Sequence, residues 1–187
     1  GSTVAIEPST GEVLCMVSSP TYDPRLMTGK QRGQHHQQLA NNAWKPLLNR
    51  SIMGQYPPGS TFKTSQALML LTEGIVSPRG TAFPCSRGFR YRNLRVGCHS
   101  HASPISLIPA ISTSCNGYFC WGLYYMFGNR HKYKNVHDAM DTWRDYMVSM
   151  GFGYKLGIDL PGEKRGMIPN SEFYDKAYRK SWNGLTV

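Results

Sequence analysis

The sequence contains no apolar run that could cross a lipid bilayer. A membrane-spanning helix needs about 20 apolar residues, and the longest apolar runs here, such as residues 67–71, fall far short of that length. No signal peptide, internal repeat or low-complexity segment is visible. With 187 residues, 12% aromatic residues and four tryptophans, the chain is predicted to be a folded domain or a large part of one.

Cysteine spacing excludes two common classes of protein. The chain has an odd number of cysteines, five, and no two of them have the Cys-x-x-Cys spacing. The set matches neither a dense disulfide framework nor a redox motif, so it leaves the cellular compartment open. The cysteines are Cys15, Cys85, Cys98, Cys115 and Cys120.

Acidic residues are scarce. The chain has 11 acidic and 21 basic residues, which gives a formal charge of +10, and no run of five like charges occurs. This balance favours an anionic partner, such as nucleic acid, a membrane surface or a phosphorylated substrate, although it also serves plain solubility.

The order of predicted elements indicates an α+β fold. Residues 3–18 are expected to form a β-hairpin, because two β-rich runs flank turn-forming residues. Helices are expected over residues 60–73, 105–111, 118–127 and 136–150. The intervals 19–57 and 77–103 show no apolar period and are predicted to be irregular. Strands followed mostly by helices argue against a doubly wound sheet.

Ser60 and Lys63 form the sharpest local feature, within residues 56–63 (YPPGSTFK). On a helix that Ser60 opens, the two side chains lie roughly 60° apart on one face. A serine hydroxyl needs a base to become a nucleophile, and a neutral lysine amine can serve. The alternative is that Ser60 caps the helix while Lys63 is solvated.

A second motif strengthens the catalytic interpretation. Ser-x-x-Lys, Ser-x-Asn and Lys-Thr-Gly together characterise β-lactamases and penicillin-binding proteins. Of two Ser-x-Asn triplets, the one from Ser114 to Asn116 lies between apolar helices, whereas the one at residues 181–183 lies in a polar tail. We therefore expect Ser114 to relay a proton and Asn116 to hold a substrate amide, with helix capping as the alternative role for both.

With these motifs, the chain resembles the transpeptidase domain of class B penicillin-binding proteins over nearly its whole length. Residues 19–24 and 182–184 favour the elongation-type member over the division-type member. The matching stretches, in family order, are residues 4–14 (VAIEPSTGEVL), 49–51 (NRS), 56–63, 114–116 (SCN), 157–163 (GIDLPGE) and 166–169 (GMIP).

The resemblance implies a penicillin-binding/β-lactamase-like α+β fold, with an antiparallel sheet and helices, and a D,D-transpeptidase that needs no cofactor for its chemistry. Ser60 would attack the penultimate D-alanine carbonyl of a peptidoglycan stem peptide, with Lys63 as general base and Ser114 and Asn116 completing the relay and positioning. The Ser60 N–H would be half of the oxyanion hole, and β-lactams would acylate Ser60.

The resemblance also implies a setting. The complete protein would cross the bacterial inner membrane once, hold this domain on the periplasmic side and work with a membrane-embedded glycosyltransferase, without a nucleic-acid partner. No Lys-Thr-Gly or Lys/Arg/His-Ser/Thr-Gly triplet is present. Residues 1–187 are therefore expected to be a partial transpeptidase domain, without that strand, the N-terminal pedestal or the anchor, and inactive alone.

A Cys/His group lies between the two motifs, at Cys85, Cys98, His99 and His101. Thiolates and imidazoles are zinc ligands, so a structural zinc ion is one interpretation. A Cys85–Cys98 disulfide is its rival, because the family domain lies outside the cytoplasmic membrane, and free buried cysteines are a third. The remaining cysteines of this region, Cys115 and Cys120, are expected to pack beside the second motif.

Three rival functions remain at this stage. A serine β-lactamase or β-lactam sensor shares both motifs but does not explain residues 157–163. A basic nucleic-acid-binding module with a Cys/His zinc site agrees with the charge, but the chain has no basic cluster and no finger spacing. A non-catalytic scaffold is the third.

Overall fold

The computed structural model describes residues 1–104, 106–179 and 181–182. The described residues divide into two compact units. The first comprises residues 1–56 and 155–166, and the second comprises residues 57–154 and those from 167 onward. Both catalytic motifs and the Cys/His group belong to the second unit.

The first unit contains the predicted hairpin. Strands β1 (Ser2–Ile6) and β2 (Val13–Ser18) pair antiparallel, which confirms the hairpin prediction. The prediction of an irregular interval at 19–57 was wrong, because it contains α1 (Arg32–Asn41), α2 (Arg50–Met53) and a 3-10 turn (Pro24–Met27). None of these three elements buries a residue, so none shows the apolar period on which the prediction relied.

The second unit is mostly helical. Within the described residues, the four predicted helices are confirmed with shifts of a few residues at their ends. The prediction of an irregular interval at 77–103 was wrong, because two paired strands lie within residues 88–97, and the last helix was not predicted. The elements are a 3-10 turn (Gly59–Phe62), α3 (Lys63–Thr72), β3 (Gly88–Tyr91), β4 (Leu94–Gly97), α4 (Leu107–Ser112), α5 (Asn116–Gly128), α6 (Val136–Ser149) and α7 (Ser171–Tyr178).

Each of the two hairpins forms its own two-stranded antiparallel sheet. Helices combined with small antiparallel sheets make the described part of the chain α+β, as predicted. No helix among the described residues is both long enough and apolar enough to span a membrane.

The core of the second unit holds the first motif beside the second. Helix α3 packs on α5 so closely that a Cβ on Gly122 would meet Leu70 Cδ1 at 2.6 Å. Helix α6 packs on the same core, where Trp143 Nε1 donates to Gln66 Oε1 at 3.0 Å. Because α3 begins at Lys63 and α5 begins at the second motif, this packing brings the two motifs together.

Candidate active site

Lys63 is the centre of the site. Its Nζ lies 3.0 Å from Ser60 Oγ, 2.9 Å from Ser114 Oγ, 2.7 Å from the Ser114 carbonyl oxygen and 2.5 Å from Asn116 Oδ1. The four predicted catalytic residues therefore form one hydrogen-bonded cluster, although more than 50 positions separate the two motifs.

The turn before α3 presents Ser60 to solvent. Gly59 has φ +60, a left-handed conformation that glycine adopts without a Cβ penalty. Thr61 Oγ1 donates to the Pro58 carbonyl at 2.6 Å, which closes the turn. Ser60 is exposed, and Lys63 beneath it is half-buried at the start of the helix. The predicted nucleophile is thus accessible, while the predicted base beside it is partly shielded.

Ser114 lies in a tight turn between α4 and α5. Its φ is +49, which is unusual for a residue with a side chain. The backbone N–H of Ser114 donates to Ile111 O, and that of Cys115 donates to Ala110 O, each at 2.9 Å. This left-handed turn directs both the hydroxyl and the carbonyl of Ser114 at Lys63.

Asn116 is held at both ends of its amide. Its Oδ1 accepts from Lys63, and its Nδ2 donates to the carbonyl of Gly97, the last residue of β4, at 2.8 Å. The amide can therefore satisfy both partners in only one orientation. The unpredicted β3–β4 hairpin is in this way bonded directly to the catalytic cluster.

The arrangement can move a proton over short distances. The Ser60 hydroxyl can lose its proton to a neutral Lys63 amine, and the Ser114 hydroxyl is within reach of the same nitrogen. Such a chain activates a serine nucleophile and later returns the proton to a leaving amine.

A second cluster lies directly beside the second motif. One donor atom from each of Cys85, Cys98, His101 and Cys115 lies within 4.8 Å of every other. His101 Nε2 is 3.0 Å from Cys98 Sγ and 3.8 Å from Cys85 Sγ. The predicted ligand His99 is outside this group, with its ring centroid 5.1 Å from that of His101.

A sequence model of the penicillin-binding protein transpeptidase domain matches residues 1–187. The chain belongs to this family. The match confirms the resemblance that the ordered motifs predicted.

Similar proteins place the chain near one branch of this transpeptidase family. The peptidoglycan D,D-transpeptidase MrdA of Acinetobacter baumannii is 34% identical over 100% of this chain and 27% of its own length. The structure of Pseudomonas aeruginosa PBP2 in complex with WCK 5153 matches with a TM-score of 0.79 and 33% identity, over 99% of this chain and 40% of that chain. A chain in a peptidoglycan synthase complex that coordinates polymerization and crosslinking matches with a TM-score of 0.80 and 28% identity, over 98% and 30%.

These comparisons confirm the penicillin-binding transpeptidase fold and the similarity to PBP2. The chain spans only about a quarter of the curated relative's length.

The pKa values of Cys98 and Cys115 are shifted in opposite directions. Burial by itself raises the pKa of Cys98, but His101 and the backbone N–H groups of Asn116 and Gly117 outweigh burial and lower it to about 7. Burial raises the pKa of Cys115 to about 12. All five cysteines are free thiols in the structure.

Cys115 is the residue of the second cluster that sequence reasoning placed elsewhere. It was expected only to pack beside the second motif, whereas its Sγ is one of the four donor atoms of the second cluster and accepts from Tyr118 N at 3.3 Å. The available signal was its position inside the motif, within 17 residues of Cys98 along the chain. A cysteine so close to an active site is a ligand candidate as well as a packing residue.

Proposed function

We propose that the complete protein is a serine-type peptidoglycan D,D-transpeptidase that also binds β-lactams. The observation that carries this proposal is the contact of Lys63 Nζ with Ser60 Oγ, Ser114 Oγ and Asn116 Oδ1. A lone Ser-x-x-Lys on a helix would not have a second hydroxyl and an amide converging on the lysine. The family match supports the same chemistry.

The proposed reaction has two steps. Ser60 Oγ attacks the penultimate D-alanine carbonyl and passes its proton to Lys63 Nζ. The proton returns, through Ser114 Oγ, to the amine of the departing D-alanine, which leaves an acyl ester on Ser60. The amine of a second stem peptide then attacks this ester and regenerates the hydroxyl. Asn116 has the amide geometry to bind the substrate backbone.

β-Lactams enter the first step only. Attack of Ser60 on the lactam carbonyl opens the ring, and the former leaving group stays tethered to the acyl group. The acyl ester is then long-lived, which separates a transpeptidase from a β-lactamase that hydrolyses it.

The setting of the complete protein is part of the proposal. We place this domain on the periplasmic side of a bacterial inner membrane, connected to the membrane by a pedestal and a single-pass anchor. There it would work with a glycosyltransferase in elongation-type cell-wall synthesis. The similarity to a chain of a peptidoglycan synthase complex supports such a partner. The proposal includes no nucleic-acid partner, because the family match accounts for the chain without one.

The third motif belongs to this proposal as well. The 187 residues contain no Lys-Thr-Gly or equivalent triplet, and in the family that strand supplies the second N–H donor of the oxyanion hole. Removing one such donor lowers the rate by about 100- to 1000-fold. We therefore expect the 187-residue chain to be acylated far more slowly than a longer chain that includes the triplet.

A structural zinc ion is the second part of the proposal. Four tetrahedral ligands at the usual Zn–S distance lie about 3.8 Å apart. In the cluster, His101 Nε2 lies 3.8 Å from Cys85 Sγ and 3.0 Å from Cys98 Sγ, and no two donor atoms are more than 4.8 Å apart. Cys85, Cys98, Cys115 and His101 would hold the ion, with His99 left out. Such an ion would tie both ends of the β3–β4 hairpin to the second motif, and the acyl-transfer chemistry would not require it.

Labelling with a fluorescent penicillin tests the catalytic assignment. The complete protein should form a covalent adduct at Ser60, identified by peptide mass spectrometry, and Ser60→Ala should form none. Ser112→Ala is the matched control, because Ser112 is an exposed serine at the end of α4. Labelling that persists in Ser60→Ala would refute the assignment.

A further inference from the structure

Most of the net positive charge of the chain, eight of the ten units, arises in one stretch. Between Glu73 and Asp138 the sequence has eight arginine or lysine residues and no acidic residue. Four of the eight, here termed the hairpin arginines, lie on or beside β3 and β4: Arg87, Arg90, Arg92 and Arg95. The stretch thus carries positive charges that no acidic residue within it neutralises.

Two of the hairpin arginines face each other. Arg90 pairs with Arg95 in the antiparallel register, and both residues are exposed. Like charges directly opposite each other in a sheet are destabilising. Within the described ranges, no hairpin arginine forms an ion pair with a carboxylate. The hairpin therefore holds cations together at a cost to its own stability.

Aromatic side chains cover the other face of the hairpin. Phe89 packs against Trp121, and Tyr91 packs against Tyr124, each pair with ring centroids 4.8 Å apart. The Arg92 guanidinium lies 5.5 Å from the Tyr91 ring centroid. Arginine, tyrosine and tryptophan are the residues most enriched at binding hot spots. These ring contacts hold the hairpin against α5, so the backbone that carries the arginines is fixed in place.

The hairpin leads away from the catalytic cluster. Asn116 Nδ2 donates to the carbonyl of Gly97, at the end of β4. A strand rises about 3.3 Å per residue, so along β4 the backbone of Arg95 lies about 7 Å, and that of Leu94 about 10 Å, from this bond. The hairpin arginines therefore lie on an element whose end is bonded directly to the cluster around Lys63.

We propose that the hairpin arginines bind the carboxylates of cell-wall stem peptides and hold the peptidoglycan strand beside the reacting peptide. This inference rests on the proposed function. A guanidinium group binds a carboxylate through two parallel hydrogen bonds, and stem peptides carry free carboxylates along an otherwise neutral glycan. Charge complementarity and continuity with the catalytic cluster select this occupant.

Co-sedimentation of the 187-residue chain with purified, protein-free peptidoglycan sacculi tests the proposal. The double variant R90Q/R95Q should bind about fivefold to tenfold more weakly, because two charge-assisted contacts are lost. The control K30Q/R32Q removes two exposed charges from the first unit and should bind as the unaltered chain does. In a second arm, the carboxylates of the sacculi are converted to amides. The unaltered chain should bind these amidated sacculi as weakly as R90Q/R95Q binds untreated ones.

Folding and catalysis are monitored separately. R90Q/R95Q should unfold at an unchanged or higher temperature, because a repulsive pair is removed. In the complete protein, the same double variant should be acylated by penicillin at the unaltered rate, because neither arginine is among the hydrogen-bond partners of Lys63. If Ser60 of the complete protein is never acylated but R90Q/R95Q still loses binding to sacculi, the proposed function fails while the anion site stands.

Two results would overturn the proposal. One is equal binding of R90Q/R95Q and the unaltered chain to untreated sacculi. The other has two parts: the unaltered chain binds amidated sacculi as well as untreated sacculi, and R90Q/R95Q loses the binding to phosphatidylglycerol vesicles that the unaltered chain shows. That combination would assign the arginines to a membrane surface.

Discussion

Lys63 Nζ and Asn116 Oδ1 lie 2.5 Å apart, although 53 positions separate the two residues in the chain. The other end of the Asn116 amide donates to the carbonyl of Gly97 at 2.8 Å. A half-turn of the amide would exchange Oδ1 and Nδ2 and would break both bonds. The direction in which Lys63 points, and hence its distance from Ser60, therefore depends on the β3–β4 hairpin as well as on the two motifs.

The substitution Lys63→Ala should remove acylation and leave the fold intact. Loss of a positioned general base lowers the rate by about 100- to 10,000-fold, and the alanine favours the start of α3. The rate of fluorescent-penicillin labelling of the complete protein measures the effect, and far-UV circular dichroism checks the fold. Lys134→Ala, an exposed lysine, is the control. A rate within threefold of the unaltered protein would rule out Lys63 as the base.

The sequence predicted the helices that bury a periodic apolar face, and it predicted the exposed β1–β2 hairpin from its turn residues and β-rich runs. Helix α6 shows why, since Ala139, Met140, Trp143 and Met147 are all buried at helical spacing. Helix α7 buries no residue among those described, so its pattern contains no such signal. The β3–β4 hairpin is built from four-residue strands rich in arginine, and a strand that short carries too few residues to establish an alternation.

The candidate site could be predicted only in part. Spacing alone places Ser60 beside Lys63, because both lie within one helical turn. The approach of Ser114 and Asn116 to Lys63 depends on the packing of α3 against α5, so it required the family resemblance rather than local patterning. The place of Cys115 beside Cys98 depends on where the hairpin ends, and no local sequence pattern specifies that position.

Alanine substitutions of His99 and His101 should show which of the two histidines belongs to the second cluster. His101→Ala should lose zinc, because His101 Nε2 lies 3.0 Å from Cys98 Sγ. His99→Ala should retain about one zinc ion per chain, because His99 lies outside the cluster. Elemental analysis of protein purified without added metal measures the content, and Cys120→Ser is a thiol control from outside the cluster. Equal zinc loss in both histidine variants would contradict this ligand set, and a Cys85–Cys98 disulfide under non-reducing mass spectrometry would exclude the site.

Glu73 should stabilise the second unit in a pH-dependent way. Its side chain is 1% exposed and lies 2.8 Å from Lys132 Nζ, while the hydroxyl groups of Tyr133 and Tyr146 donate to it. Burial alone raises the pKa of Glu73, but these hydrogen bonds outweigh burial and lower it below its ordinary value. The folded state therefore binds this proton less tightly than the unfolded state, so the stabilisation exists above about pH 4.3 and is lost as pH falls through the folded pKa.

The substitution Glu73→Gln measures that contribution. At pH 7 the free energy of unfolding should fall by about 2 to 3 kcal/mol, because a buried charge-assisted network is broken. The difference from the unaltered chain should narrow below about pH 4, where the carboxylate becomes protonated. Urea unfolding at both pH values gives the comparison. Glu172→Gln is the control, because Glu172 is 68% exposed in its pair with Lys176 and should contribute less than about 1 kcal/mol. A Glu73→Gln difference that stays constant from pH 7 to pH 3 would show that the charge of Glu73 is not the source.

Ser114 should limit stability while it supports catalysis. Its backbone has φ +49, and a left-handed conformation costs a residue with a side chain about 1 kcal/mol, whereas glycine adopts it freely. Ser114→Gly and Ser114→Ala both remove the hydroxyl that lies 2.9 Å from Lys63 Nζ, so penicillin labelling should slow by about 100-fold in both. Only the glycine variant relieves the backbone, so it should be more stable than the alanine variant by about 0.5 to 1 kcal/mol in urea unfolding.

Equal stability of the two variants would mean that the turn is not strained, and rapid labelling in either would mean that the Ser114 hydroxyl does not relay the proton. If both differences appear, the chain retains a strained serine at this turn because the same conformation directs its hydroxyl at the base.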